Sequence, residues 1–125
     1  MNTTNGSKPR DIDERTFAFA LRVVRLCSLL DKKGGVGRKL GNQLLRAGTS
    51  IGANVEEGRA AQSRADFVHK NAIALKETRE TRYWLRLLQG SAIIKPKLLA
   101  GIISETEELA KILGAIVCRT RRSKE

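Results

Sequence analysis

The side chains with the clearest chemical potential in this sequence are its lysines and arginines. The 125-residue chain carries 24 Lys and Arg against 13 Asp and Glu, a formal net charge of +11. Such an excess attracts polyanions, and clustered cations bind phosphate groups in particular. The predicted phosphate-contacting residues are Lys32, Lys33, Arg38, Lys39, Lys76, Arg79, Arg82, Arg86, Arg119, Arg121 and Arg122. The alternative is that these cations only keep the protein soluble.

Aromatic residues are scarce, at 4% of the chain. Few side chains are therefore available to stack on bases, and no helix-turn-helix signature appears. Any nucleic acid, RNA or DNA, is expected to be bound through its phosphates, with strong salt dependence and weak sequence specificity.

Catalytic, metal and nucleotide sites find little support in the sequence. With a single histidine, His69 in Asp66-x-x-His69, the ligands of a di-iron helical bundle are incomplete. We expect His69 to lie at the surface or at an interface. The glycine-rich run at 34–37 lacks the preceding strand and the Gly-Lys-Ser/Thr ending of a phosphate-binding loop. We therefore predict no cofactor, no metal and no enzymatic activity.

A set of polar residues recurs on the inner faces of the second and third predicted helices. It consists of Ser50, Asn54, Glu57 and Asn71. We interpret this set as a buried, hydrogen-bonded layer that fixes helix register. The alternative is a small polar binding site.

Hydrophobic periodicity predicts the elements that position these residues. Apolar side chains recur every three to four residues over about 13–31, 38–59, 63–89 and from Pro96 onward. The glycines among residues 32–37 predict a loop between the first two helices. Ser63, three residues before Asp66, resembles a capping box, and Pro96 suits the first turn of a helix. Lys95 and Lys97 should then lie at the same end of the molecule as the 32–39 cations.

Four amphipathic helices with short connections predict an all-α protein, an antiparallel up-down-up-down four-helix bundle. The bundle is expected to span residues 13–118, between a flexible N-terminal tail (1–12) and a basic C-terminal tail (119–125). In this topology Cys27 and Cys118 lie at opposite ends, so no disulfide joins them. No signal peptide or membrane-spanning run is evident, and we expect a cytoplasmic protein with reduced thiols and no membrane partner.

The apolar face of the first helix is wider than a bundle requires. Its apolar residues cover more than half of the helical wheel and leave mainly Arg22, Arg25 and Ser28 outside. A bundle helix needs an apolar stripe nearer a third of its circumference. We therefore predict self-association through this helix.

The second predicted helix carries a more specific pattern. It combines a Gln followed by an aliphatic residue, an Arg-Ala pair, Ser-Ile, and Asn-aliphatic-x-Glu-Gly. These features stand at Gln43-Leu44, Arg46-Ala47, Ser50-Ile51 and 54–58, and Ser63, Phe67, Ala74-Leu75 and Glu80 also fit. The pattern resembles the signature of the 23S ribosomal RNA intervening-sequence protein family, a four-helix bundle family. The resemblance covers roughly residues 13–117 and departs from the family at the 34–37 glycines and at 59–62.

This resemblance implies a bundle that assembles as a ring, typically a pentamer. Family members are often encoded inside bacterial large-subunit ribosomal RNA genes, and most have no assigned activity. A related protein, the accessory protein of diversity-generating retroelements, is a basic pentameric barrel that binds nucleic acid and partners a reverse transcriptase. By this resemblance, a reverse transcriptase is one possible protein partner.

Composition and resemblance together lead to two functional hypotheses. The first is a non-enzymatic, ring-forming homo-oligomeric module that binds nucleic acid or adapts a nucleic-acid enzyme. The alternative is an oligomeric scaffold or adaptor whose partner is an acidic protein, without nucleic acid.

Overall fold

The computed structural model describes residues 11–124 and contains four helices in that range. They are α1 (Ile12–Lys33), α2 (Gly35–Arg59), α3 (Arg64–Gly90) and α4 (Pro96–Lys124). The predicted all-α four-helix bundle is confirmed. Of the predicted N-terminal tail, residues 1–10 lie outside the described residues.

Neighbouring helices pair their residues in opposite order along the chain, as an up-down-up-down bundle requires. Val23 and Leu30 of α1 lie against Gly48 and Gly41 of α2, respectively. The same opposite order holds between α2 and α3, where the contacts are Arg46–Glu80 and Gly58–Asn71. Between α3 and α4 the contacts are Arg82–Glu107 and Gln89–Pro96. Between α1 and α4 they are Arg15–Glu105 and Arg22–Gly101. Since α1 makes no close backbone approach to α3, these two helices lie diagonally across the bundle.

The core is built almost entirely from aliphatic side chains. Each helix contributes a stripe at helical spacing, and the fully buried large residues are Phe19, Val23, Leu30, Leu44, Ile51, Val55, Leu85, Leu88, Leu99, Leu109 and Leu113. Burial of this apolar area is the main force that holds the four helices together. The buried threonines satisfy their hydroxyls locally: Thr78, for example, donates to the carbonyl of Ala74 at 2.8 Å.

The predicted loop at 32–37 is wrong. Only Gly34, with φ +72°, separates α1 from α2, and α2 begins at Gly35, with φ +58°. Such positive φ values are easily adopted only by glycine, which allows a turn this tight. Gly37 is already helical, and a Cβ there would stand 3.3 Å from Ile93 Cγ2 and 3.6 Å from Leu30 Cδ2. This glycine therefore serves close helix packing.

The start of α3 forms as predicted. Ser63 caps the helix by accepting a hydrogen bond from the Asp66 amide at 3.1 Å. Asp66 also places a negative charge in the first turn, which favours the positive end of the helix dipole.

The C-terminal boundary differs from the prediction. The sequence predicts a bundle that ends at residue 118, but α4 continues to Lys124. The segment expected to be a basic tail is therefore helical over 119–124. Thr120 in this segment donates to the Ile116 carbonyl at 2.7 Å, which is the local bonding of a helix interior.

The excess apolar face of α1 is exposed in the single chain. Phe17 is 64% exposed and Leu21 40%, and Val24 continues the same stripe. Leu45 of α2 lies beside this stripe and is also exposed. We define Phe17, Leu21, Val24 and Leu45 as the α1 apolar stripe. Within residues 11–124, none of the helices combines the length and apolar character needed to cross a bilayer.

Candidate nucleic-acid interface

The first group of predicted cations lies at the end of the bundle that carries the α1–α2 turn. Lys32 and Lys33 occupy the last turn of α1, and Lys39 lies in the second turn of α2. The contact of Gly37 with Ile93 brings the α3–α4 turn to this end, and with it Lys95 and Lys97. We call these five lysines the basic end. All five are exposed, and no ion pair joins them to any acidic group among residues 11–124.

Arg38 belongs to the same end but has a different environment. Its Nε lies 3.1 Å from Asp31 Oδ1, and its Nη2 donates to the Asp31 carbonyl at 3.0 Å. These bonds tie α2 back to the last turns of α1. Arg38 therefore braces the one-residue turn and offers less to a phosphate than its neighbour Lys39 does.

A second group lies on the outside of α3. Lys76, Arg79 and Arg86 are exposed and form no ion pair with a described residue. Arg82 is different, because its Nη2 lies 3.1 Å from Glu107 Oε2 of α4. Arg82 thus joins α3 to α4, while the other three point to solvent.

The third group lies on the last turns of α4, at the opposite end of the bundle from the α1–α2 turn. Arg119, Arg121 and Arg122 are exposed there, again without an acidic partner in the described part of the chain. The structure therefore does not gather the eleven predicted residues into one patch. It distributes nine unpaired cations over two ends and one side, and places Arg38 and Arg82 in ion pairs.

Most acidic side chains are already engaged by other cations. Arg15 binds Glu105 with both Nε (2.7 Å) and Nη2 (3.0 Å). Arg46 pairs with Glu77 and Glu80, and Arg59 with Asp11 and Asp13. These pairs join neighbouring helices. Since they consume much of the negative charge, the excess positive charge remains on the unpaired lysines and arginines.

The four predicted polar-layer residues do not form one layer. Asn54 donates to the Ser50 carbonyl (2.9 Å) and hydroxyl (3.1 Å), so these two residues meet on α2. Asn71, only 2% exposed, bonds separately to the Phe67 carbonyl at 2.9 Å and packs beneath Gly58.

Glu57 lies on the surface rather than in that layer. Its carboxylate lies 2.8 Å from Lys70 Nζ, and this hydrogen bond raises the pKa of Lys70. This ion pair ties α3 to α2. These contacts hold α2 against α3.

Groups associated with metal or redox chemistry are separated in the described chain. No cluster of three His, Cys, Asp or Glu side chains with metal-binding geometry occurs within residues 11–124, and His69 is exposed. Cys27 is buried and Cys118 exposed, and both thiols are free. Burial raises the pKa of the Cys27 thiol to about 11, and its Sγ donates to the Gly41 carbonyl at 3.3 Å.

Sequence reasoning missed one feature of the α3 surface. Tyr83 is 54% exposed and lies between Arg79 and Arg86 on the outward side of the helix. The spacing of four and three residues was a usable signal, since such residues share one face of a helix. Composition gives the number of aromatic residues but not the position of the one tyrosine on the helix surface.

Comparisons with known proteins agree with this fold. The model of the 23S rRNA-intervening sequence protein family matches residues 10–115. The chain is also similar to a crystal structure from Bacteroides thetaiotaomicron VPI-5482, described as a protein with unknown function from the S23 ribosomal protein family. The two share 41% sequence identity and a TM-score of 0.79, over 86% of this chain and 98% of that chain. Among curated proteins, none matches the chain.

Proposed function

The chain belongs to the 23S rRNA-intervening sequence protein family, and from this premise we propose that it is a non-enzymatic, ring-forming module that binds nucleic acid through phosphate contacts. It acts alone or as an adaptor for a nucleic-acid enzyme. The observation that carries the proposal is the set of nine predicted cations that have no acidic partner among the described residues. Unpaired surface cations release counterions from a phosphate backbone when they bind it, which favours association.

The α1 apolar stripe supports assembly. Phe17, Leu21, Val24 and Leu45 expose contiguous apolar area along the outer α1–α2 groove. A soluble monomer rarely leaves such a patch uncovered. A second copy of this chain is the proposed occupant, and repetition around a ring multiplies the basic surface into a strong positive field.

The distribution of the cations favours an extended polyanion over a compact ligand. They lie at both ends and on one side of a bundle whose α4 alone spans 29 residues, roughly 40 Å at 1.5 Å per residue. A small acidic molecule would contact only one group. A polynucleotide that runs along a subunit, or across several subunits of a ring, contacts more than one.

Size-exclusion chromatography with light scattering tests the proposal. The protein is run alone and with a short structured RNA, at low and at moderate salt. We expect a discrete species several times the 13.8 kDa chain mass, which shifts with RNA at low salt and releases it as salt rises. Polyglutamate serves as competitor. An oligomer that ignores RNA at low salt but binds polyglutamate would refute nucleic-acid binding and favour an acidic protein partner.

A further inference from the structure

The outward side of α3 combines cations with an aromatic ring. Lys76, Arg79, Tyr83 and Arg86 follow one another at intervals of three, four and three residues, so they form one stripe on the helix. All four are exposed. We call these four residues the α3 outer face. Arg79 and Arg86 lie two helical turns apart, roughly 10 Å along the axis, with Tyr83 between them.

The Tyr83 ring contacts one neighbouring aromatic side chain. It packs edge-to-face on Trp84, with ring centroids 5.2 Å apart and an interplanar angle of 72°. Trp84 is itself fixed, because its Nε1 donates to Glu80 Oε2 at 3.0 Å, and Glu80 also accepts from Arg46 of α2. This contact with Trp84 restricts the orientations open to the exposed ring, which lowers the entropy that it loses on binding.

Apart from its contact with Trp84, Tyr83 contributes little to packing within the bundle, because it is 54% exposed. Its hydroxyl has no hydrogen-bond partner among residues 11–124. The flanking Arg79 and Arg86 guanidiniums are likewise without a described acidic partner. Proteins that bind single strands combine aromatic rings, on which bases stack, with cations that neutralise phosphates, and a ring between two unpaired cations fits that arrangement.

The α3 outer face does not overlap the surface proposed for self-association. Helix α1 lies diagonally across the bundle from α3. The α1 apolar stripe and the α3 outer face are therefore separate surfaces of one subunit.

We infer that the α3 outer face is a binding surface for single-stranded nucleic acid, in which Tyr83 stacks on a base and Arg79 and Arg86 bind the flanking phosphates. This inference rests on the proposed function and adds the class of substrate and the residues that recognise it. A duplex keeps its bases stacked internally and offers Tyr83 no base face, so it is held by the cations alone.

Fluorescence anisotropy with labelled 12-nucleotide single strands, one RNA and one DNA, and with the corresponding duplexes tests this surface. Tyr83→Ala is expected to weaken binding of the single strands about 5- to 150-fold, the usual range for loss of one stacked base. The affinity of the Tyr83→Ala variant for the duplexes should stay within about twofold of that of the wild type. Tyr83→Phe keeps the ring and should keep single-strand affinity. Leu98→Ala removes an exposed side chain from α4 on the side that faces α1, and serves as the control.

The outcomes separate the inference from the function on which it rests. If the wild type binds single strands and Tyr83→Ala binds them equally well, the stacking surface is refuted while the proposed function stands. If Tyr83→Ala loses single-strand and duplex binding equally, or changes the mass measured by light scattering, the stacking surface is also refuted. Tyr83 would then support folding or assembly. If the wild type binds no nucleic acid at low salt, both proposals fail. Comparison of the RNA and DNA strands shows which sugar the surface prefers.

Discussion

Gly48 of α2 lies directly against Val23 of α1. A Cβ on Gly48 would stand 2.8 Å from Val23 Cγ2 and 2.9 Å from Val23 Cγ1. Val23 is fully buried and β-branched, so neither methyl can rotate away. This contact sets how closely α1 and α2 approach each other.

We expect Gly48→Ala to destabilise the bundle. Alanine gains up to about 1 kcal/mol in helix propensity over glycine, but overpacking a core typically costs about 1–3 kcal/mol. Because both Val23 methyls are closer than normal contact, the clash should dominate, with a net loss of about 1–2 kcal/mol in unfolding free energy. Urea denaturation followed by circular dichroism measures this.

Gly114→Ala in α4 is the matched control. A Cβ there meets nothing within 4 Å, so only the propensity gain applies. It should be neutral or up to about 1 kcal/mol more stable. A Gly48→Ala protein at least as stable as the wild type would show that α1 and α2 are not packed this tightly.

A charge in the α1 apolar stripe should dissociate the assembly. Leu21→Glu would bury a carboxylate without a partner between subunits, which is strongly unfavourable. Light scattering should give a lower mass, while circular dichroism should show unchanged helix content. Leu87→Glu on α3 is the control, because Leu87 is 38% exposed against 40% for Leu21. Retention of the wild-type mass by Leu21→Glu would exclude this stripe as the subunit interface.

The two cysteines should differ strongly in reactivity. The thiolate is the reactive form of cysteine. Cys27 is buried, and burial raises the pKa of its thiol to about 11, so little thiolate forms near neutral pH. At pH 8, mass spectrometry should find one rapid alkylation, at Cys118, and none in a Cys118→Ser variant until denaturant is added. Equal rates at both thiols in the native protein would show that Cys27 is accessible.

The same shift has a consequence for stability. An unfolded Cys27 ionises near its ordinary pKa of 9.0, whereas the folded thiol ionises near 11. Below pH 9 both states keep the proton, so this group has no effect there. Between about pH 9 and 11 the unfolded state loses its proton first, and this group then lowers the stability of the fold.

Local sequence signals predicted the existence of the four helices and the positions of several helix ends. Hydrophobic periodicity is a property of each segment alone, and so are the Ser63 cap and Pro96 in the first turn of α4. The broad apolar face of α1 was equally readable, since it needs only the helical wheel.

Features that depend on neighbouring helices could not be read in the same way. Gly37 appeared to be a loop residue because glycine disfavours helices, and its contact with Ile93 joins residues far apart in sequence. The ion pairs of Arg38 with Asp31 and of Arg82 with Glu107 depend on turn geometry and on the register of α4 against α3. Separation of Asn54 from Asn71 likewise follows from interhelical register, which periodicity does not specify.

Salt dependence of RNA affinity is the most direct measurement of phosphate binding by the unpaired cations. Anisotropy titrations at several salt concentrations give the slope of log Kd against log salt, which is about 0.7 per phosphate contacted on a single strand. Binding through several cations predicts a steep slope for the wild type. A triple variant with Lys32→Gln, Lys33→Gln and Lys39→Gln removes three cations of the basic end. Its slope should be lower than that of the wild type by about 2. A wild-type protein that binds no RNA at low salt, or whose Kd does not change with salt, would contradict phosphate recognition by this surface.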